Sequence, residues 1–244
     1  MMAGQSGEVV LAIDTATSVA VGLARGGRVL AAGVVDDSRA HVEQLTPTID
    51  RVLDEAGVDL GALDRIVIGL GPGPFTGLRV GIVTAQVLAS TTRTRLHGVC
   101  TLDVLAAQWA GKGASEFVVA TDARRKELYW ARYEVRGTQP VRVAGPRVTV
   151  PTELPDLPVV GPGVEQYRSV LGGRVVAEPV ALDPGLMAVV GSGLPDAGSE
   201  PLYLRRPDAK EPGPRKSALA AGGPKRLRGL ARRSGSAPPP EPGR

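Results

Sequence analysis

Three short apolar segments follow one another near the N-terminus with almost no chain between them, and that spacing restricts the fold more than any other feature. They are Glu8–Asp14 (EVVLAID), Ser18–Arg25 (SVAVGLAR) and Arg28–Val35 (RVLAAGVV), joined by Thr15–Thr17 and by Gly26-Gly27. Links this short leave room only for hairpins, so the segments are predicted as adjacent antiparallel strands. A helix is predicted over Ser38–Ala56, with Ser38 as N-cap and Gly57 as stop. Its Val42, Leu45, Ile49, Val52, Leu53 and Ala56 recur at helical spacing, and Pro47 inside it is expected to bend it. Arg65–Leu70 (RIVIGL) then reads as a buried parallel strand, Gly71–Gly77 (GPGPFTG) as a loop, Thr76–Ser90 as a helix and Leu96–Cys100 as a further strand. Hairpin strands followed by helix, strand, helix, strand predict an α/β layer fold.

The second half repeats part of this plan. Ala12–Ala24 (AIDTATSVAVGLA) and Ala120–Tyr133 (ATDARRKELYWARY) each carry a strand ending in aspartate, a polar turn and a return strand. That repeat suggests two lobes of related topology, although an aspartate in a hairpin turn is also ordinary turn chemistry. After Val148 the chain turns Pro/Gly-rich, with a short helix expected around Val164–Leu171, and the second lobe is expected to end near Tyr203-Leu204-Arg205. The organisation expected is therefore a first lobe over 1–108, a smaller second lobe over 109–206 and a tail over 207–244.

Charge separates the tail from the body. Residues 205–244 hold 11 Lys+Arg and 3 Asp+Glu, a net +8, with 8 Pro and 6 Gly; subtraction from the totals of 29 and 25 leaves the body at 18 against 22, a net −4. Such a tail cannot bury enough apolar area to offset its ordering entropy, so a disordered basic extension is expected, able to touch RNA phosphates or to remain simply solvated. One cysteine, Cys100, excludes a disulfide framework, and two distant histidines, His41 and His97, exclude a histidine-pair metal site. No basic-then-apolar leader opens the sequence, and the longest apolar helix, Val80–Ala89, is too short to span a bilayer. A soluble, cytoplasmic protein without membrane attachment is expected.

Two features bear on chemistry. Gly71-Pro-Gly-Pro-Phe-Thr-Gly77, between a strand and a helix N-terminus, has the geometry of an anion grip. Yet it matches neither a Walker A loop nor G-x-G-x-x-G, and Pro72 and Pro74 remove two donors, so a structural turn is the competing reading. The helix after it carries Gly77, Gly81, Ala85 and Ala89 on one stripe, a narrow polar stripe of Arg79, Val83, Gln86 and Ser90, and apolar residues between. A helix so apolar around its circumference requires cover on more than one side, from its own lobe or from a partner. Asp14, Asp36, Asp37 and Asp122 read either as magnesium-binding strand ends or as turn and cap residues. Cys100, in an apolar run, reads as an inert core thiol.

Taken together, Leu11–Gly22 (LAIDTATSVAVG), Gly69–Leu88 (GLGPGPFTGLRVGIVTAQVL) and Ala120–Tyr133 closely resemble the TsaB (YeaZ) family; Ser38–Ile49 and Pro201–Arg205 (PLYLR) look like its first helix and C-terminal signature. The resemblance covers about residues 8–206 and implies a two-lobed actin-like fold of the acetate and sugar kinase superfamily, ribonuclease H-like, with a reduced second lobe. It further implies a non-catalytic scaffold in tRNA threonylcarbamoyladenosine synthesis, which supports the transferase TsaD together with the small ATPase TsaE. Partner contacts are implied for His41, Val42, Leu45, Ile49, Arg79, Ile82, Val83, Gln86, Val87 and Ser90, and a homodimer through the same helices. The glycine loop, Gly71, Gly73, Phe75, Thr76 and Gly77, is the most specific stretch. Asp14 with Thr15, and Asp122, mark phosphate turns that lack the superfamily's glycines. No cofactor is expected on this chain alone, ATP/ADP and metal belonging to partner subunits or their interface. Three alternatives stay open: an ATP-dependent kinase or phosphatase using Asp14 and Asp122, a peptidase, and an RNA-binding module driven by the tail.

Overall fold

The computed structural model describes residues 7–36, 41–176 and 181–205. The described residues fall in one compact unit, Met1–Pro207; residues 208–244 lie outside the described residues. The proposed N-cap Ser38, the carboxylate Asp37, the tail, and the side chains of His41 and Val42 also lie outside them.

The first sheet has the order β3-β2-β1-β4-β5, from β1 Val9–Asp14, β2 Val19–Arg25, β3 Arg28–Val35, β4 Arg65–Gly69 and β5 Arg95–Val99. β1, β2 and β3 are antiparallel, and β4 and β5 run parallel to β1. The β2–β3 link is a two-residue turn whose Gly26 and Gly27 sit at φ +56 and +80, a conformation that residues with a Cβ resist. Strand alternation sorts residues by size. Leu11, Ile13, Val21, Leu23, Ile66 and Ile68 face one side, and Ala12, Ala20, Ala24 and Val67 face the other.

On the large-residue side lie α1 (His41–Ala56) and α2 (Phe75–Thr92). Leu45, Ile49, Val52 and Leu53 of α1, and Leu78, Ile82, Ala85 and Ala89 of α2, are buried against the sheet. Each large aliphatic side chain so enclosed contributes roughly 1.5–3 kcal/mol. On the small-residue side lie α3 (Thr101–Trp109) and, later in the chain, α5 (Pro184–Val190), capped by Asp183 accepting from Leu186 N. A Cβ at Gly22 would overlap the Pro184 carbonyl oxygen, so the bare β2 backbone sets how closely α5 approaches.

The second sheet, β8-β7-β6-β9, comprises β6 Glu116–Asp122, β7 Leu128–Arg136, β8 Gln139–Thr149 and β9 Val159–Val160. Its Phe117, Val119, Ala131 and Tyr133 join α3 in the core, and its other face is closed by Leu154, Val164, Leu171 and Val175, the last turns including α4 (Arg168–Leu171). The repeat is visible in the register. Asp14 pairs with Ala20, Asp122 pairs with Leu128, and each hairpin is joined by a parallel strand, β4 or β9. This is the two-lobed α/β architecture expected. Elements not anticipated are α3, α5, β8 and β9; β8 carries Pro140 and Pro146, which an edge strand tolerates because one side of its backbone is unpaired.

Candidate functional site

α2 has one face in the core and another that nothing in the described chain covers. Val83 and Val87 are 54% and 55% exposed, one helical turn apart, while Ile82 and Leu78 on the opposite side are sealed. Two half-bare valines on one turn form an apolar strip, with Val80, Thr84 and Leu88 half-buried beside it. The neighbouring outer face of α1 is polar: Glu43, Asp50, Asp54 and Glu55 are exposed, with Arg51 paired to Glu55 at 3.2 Å.

This arrangement corrects part of the expected contact set. Leu45 at 1%, Ile49 at 2% and Ile82 at 3% exposure are core residues, because their helical spacing turns them onto the sheet. The polar stripe is also largely taken. Arg79 Nε donates to Tyr203 Oη at 2.9 Å, and Gln86 Nε2 donates to the Ser199 carbonyl at 3.2 Å. Both bonds go to a C-terminal strap, residues 194–205, that runs over the β5 edge through Ala197 N to Gly98 O at 2.7 Å and over the glycine loop through Leu202 N to Leu70 O at 2.8 Å. Phe75 stacks on Tyr203 with centroids 4.7 Å apart, and the Arg79 guanidinium lies 3.9 Å from the Phe75 centroid. Val83, Val87 and Ser90 are the expected contact residues left exposed without such a tie; Thr76 is exposed at the N-terminal end.

The glycine loop is packed against the first hairpin. Asp14, 1% exposed, accepts from Ala16 N at 2.8 Å through one oxygen and from Thr101 Oγ1 at 2.6 Å through the other. Thr101 Oγ1 in turn accepts from Gly71 N at 3.1 Å, and Thr15 Oγ1 donates to Gly77 O at 2.8 Å. A Cβ at Gly73 would stand 2.9 Å from Ala16, and one at Gly81 would overlap the Thr15 hydroxyl. The glycines thus let the loop and α2 close onto the hairpin turn, and two groups an anion would use, Gly71 N and the Asp14 turn, are engaged internally.

The matching turn of the second lobe differs. Asp122 accepts from Arg124 N at 3.1 Å and from Tyr167 Oη at 2.9 Å; burial first, and this bond second, push the Tyr167 phenol up to about 12. Arg124, Arg125 and Lys126 follow at φ +61, +55 and +62, all exposed. Left-handed backbone costs such residues roughly 1–2 kcal/mol each. Arg205 braces the turn by donating to Ala123 O at 2.8 Å and pairing with Glu127. Between the two hairpin turns opens a cavity of about 490 Å³, lined by Thr17, Ser18, Asp36, Pro74, Asp122, Arg124 and Gln166 among others.

Behind the first sheet, Cys100, Asp103 and Tyr133 form a buried cluster edged by the partly exposed Arg142. Tyr133 Oη donates to Asp103 at 2.7 Å, and Arg142 Nε lies 3.6 Å from the same oxygen. Burial pushes the Asp103 carboxyl above its ordinary range and the Cys100 thiol up to about 12, so Cys100 is an inert thiol rather than a nucleophile. His97 Nε2 contacts the Leu194 carbonyl at 3.1 Å. Among the described residues no group of three or more His, Cys, Asp or Glu could hold a metal ion, and no helix is long and apolar enough to cross a membrane.

A family model described as TsaD, tRNA N6-adenosine threonylcarbamoyltransferase, matches residues 33–211. An uncharacterized protein of Mycobacterium leprae is 43% identical over 214 residues, covering 83% of this chain and 56% of that protein. The tRNA threonylcarbamoyladenosine biosynthesis protein TsaB of Escherichia coli is 39% identical over 127 residues, 51% of this chain and 54% of that one. The chain thus spans a little over half the length of these two relatives. A Pseudomonas aeruginosa crystal structure, described as similar to the peptidase YEAZ, superposes with TM-score 0.65 at 30% identity, covering 81% of this chain and all of that one.

Proposed function

The chain belongs to the TsaB (YeaZ) family, and from that premise we propose that it is the non-catalytic subunit of a tRNA threonylcarbamoyladenosine-forming assembly. It docks a TsaD-type transferase through α2, and a TsaE-type ATPase joins the pair in the cytoplasm, with tRNA as the substrate of the whole. The observation that carries this reading is the second apolar face of α2: Val83 and Val87 stay half bare on a helix whose opposite side already supplies the core. Transferring such a strip from water into a subunit contact contributes about 25 cal/mol per Å² buried. A second copy of the chain can cover the same strip when the partner is absent.

Two observations support a scaffold over an ATP-using enzyme. The Asp14 carboxylate spends both oxygens on Ala16 and Thr101, and neither hairpin turn offers the bare backbone that a phosphate approaches. On this reading ATP/ADP and metal belong to the partner subunits or their interface. Reconstitution tests the reading: TsaD- and TsaE-type proteins with tRNA and a threonylcarbamoyl donor should form the modified nucleoside only when this chain is added. Equal product without it would overturn the proposal.

A further inference from the structure

The bare strip of α2 runs beside a row of carboxylates. α1 packs next to α2 over the same sheet, and its Glu43, Asp50 and Asp54 recur at helical spacing along its outer face, all exposed. None of the three pairs with a cation among the described residues. Arg51 of the same helix is turned away: it pairs with Glu55 and lies over β3, where a Cβ at Gly33 would meet its guanidinium. On the other flank the strap adds exposed Glu200, next to the Ser199 carbonyl that holds Gln86. The cations near the strip are Arg79, whose Nε is held by Tyr203, and Arg93, just past the C-terminal end of α2. α2 itself carries no acid, so the negative charge stands on the rim and the apolar strip in the middle.

We propose that this acidic rim chooses the occupant of the strip: a protein subunit whose apolar helix is flanked by lysine or arginine, taken in preference to a second copy of this chain. The inference rests on the docking face proposed above and adds the charge its partner must carry. In a twofold contact between copies, both subunits bring the same carboxylates to one interface, and like charges set together cost affinity. A cationic helix flank is attracted instead, which steers the encounter and speeds association. The same rim repels RNA phosphates and anionic lipid headgroups, so the strip suits a protein rather than either. Because the three acids of α1 are exposed to water, they act on association rate and partner choice more than on the lifetime of the complex.

The test uses the full chain and a TsaD-type subunit. Association and dissociation are followed by surface plasmon resonance from about 50 to about 500 mM KCl, and self-association by analytical ultracentrifugation. Neutralising the rim (E43Q, D50N, D54N) should slow association about tenfold at the lowest salt, leave dissociation unchanged and flatten the salt dependence. The same variant should self-associate more tightly than the wild type. Reversing the rim (E43K, D50K, D54K) should slow association further, yet converge on the wild-type rate at the highest salt, which a folding defect would not do. An unchanged association rate and salt dependence would overturn the proposal. So would equal or weaker self-association of the neutralised chain, or a loss that salt does not relieve. Val83→Glu separates the two readings. If it loses the transferase while the rim variants bind as the wild type does, the strip docks the subunit but the rim does not choose it. If Val83→Glu still binds, the docking face itself is misplaced.

Discussion

Thr101 Oγ1 sits between Asp14 and Gly71, donating to the buried carboxylate at 2.6 Å and accepting from the loop N–H at 3.1 Å. One hydroxyl thereby ties the end of β1 to the glycine loop and to the start of α3. A bond from a hydroxyl to a buried carboxylate is worth about 1.5–3 kcal/mol, and removing the donor leaves the acceptor short. Thr101→Val should therefore cost about 1–3 kcal/mol in urea unfolding. Magnesium-ATP should raise the Tm of neither protein, since the turn is closed from within.

The strap makes a second prediction. A Cβ at Gly98 would overlap the Gly198 carbonyl oxygen and stand 2.7 Å from Leu70 Cδ1. Gly98→Ala should push residues 194–205 off the β5 edge at a cost of about 1–3 kcal/mol. Limited proteolysis should then cut the strap faster, and Tyr203 should lose its stacking on Phe75.

Buried Asp103 sets a pH dependence. Its carboxyl titrates above its ordinary 3.8, chiefly because burial penalises the charge, with Tyr133 and Arg142 pulling the other way. The folded protein therefore holds this proton more tightly than the unfolded chain. Its contribution is fully present below 3.8 and is lost as pH climbs from 3.8 through the raised folded value. Denaturant titrations across that acid window should show this loss in the wild type, and a flatter profile in Asp103→Asn.

Cys100 follows the same sign at alkaline pH, its contribution disappearing between 9.0 and about 12. At pH 8 the native thiol should resist iodoacetamide and react only at the rate of unfolding. Rapid stoichiometric alkylation of the native protein would contradict the burial described here.

Much of this fold was legible from the N-terminal half, where hairpin links and helical spacing carry strong local information. β1 to β5, α1 and α2 stand within a few residues of expectation. The elements after β5 were harder to read because their order comes from tertiary cover. β8 forms despite two prolines because it is an edge, and α3 lies in a run apolar enough to suit strand or helix. The contact residues show the same limit. Spacing reveals that α2 has several apolar sides but not which one meets the sheet, so Ile82, Leu45 and Ile49 turn inward, and Arg79 and Gln86 are spent on a strap over 100 residues away in sequence. No local pattern links Tyr203 to Phe75. The triple cation of the second turn was visible as letters, but its left-handed backbone was not.

The central claim is that the bare strip of α2 is a docking face, and co-purification of charge variants with the TsaD-type subunit tests it most directly. Val83→Glu places a carboxylate on a side chain already 54% exposed, whereas Ile82→Glu buries one at a 3% exposed site and serves as the unfolding control. The account predicts that Val83→Glu keeps the wild-type Tm and loses the transferase, while Ile82→Glu does not fold. Recovery of the Val83→Glu protein with the transferase at wild-type yield would contradict it.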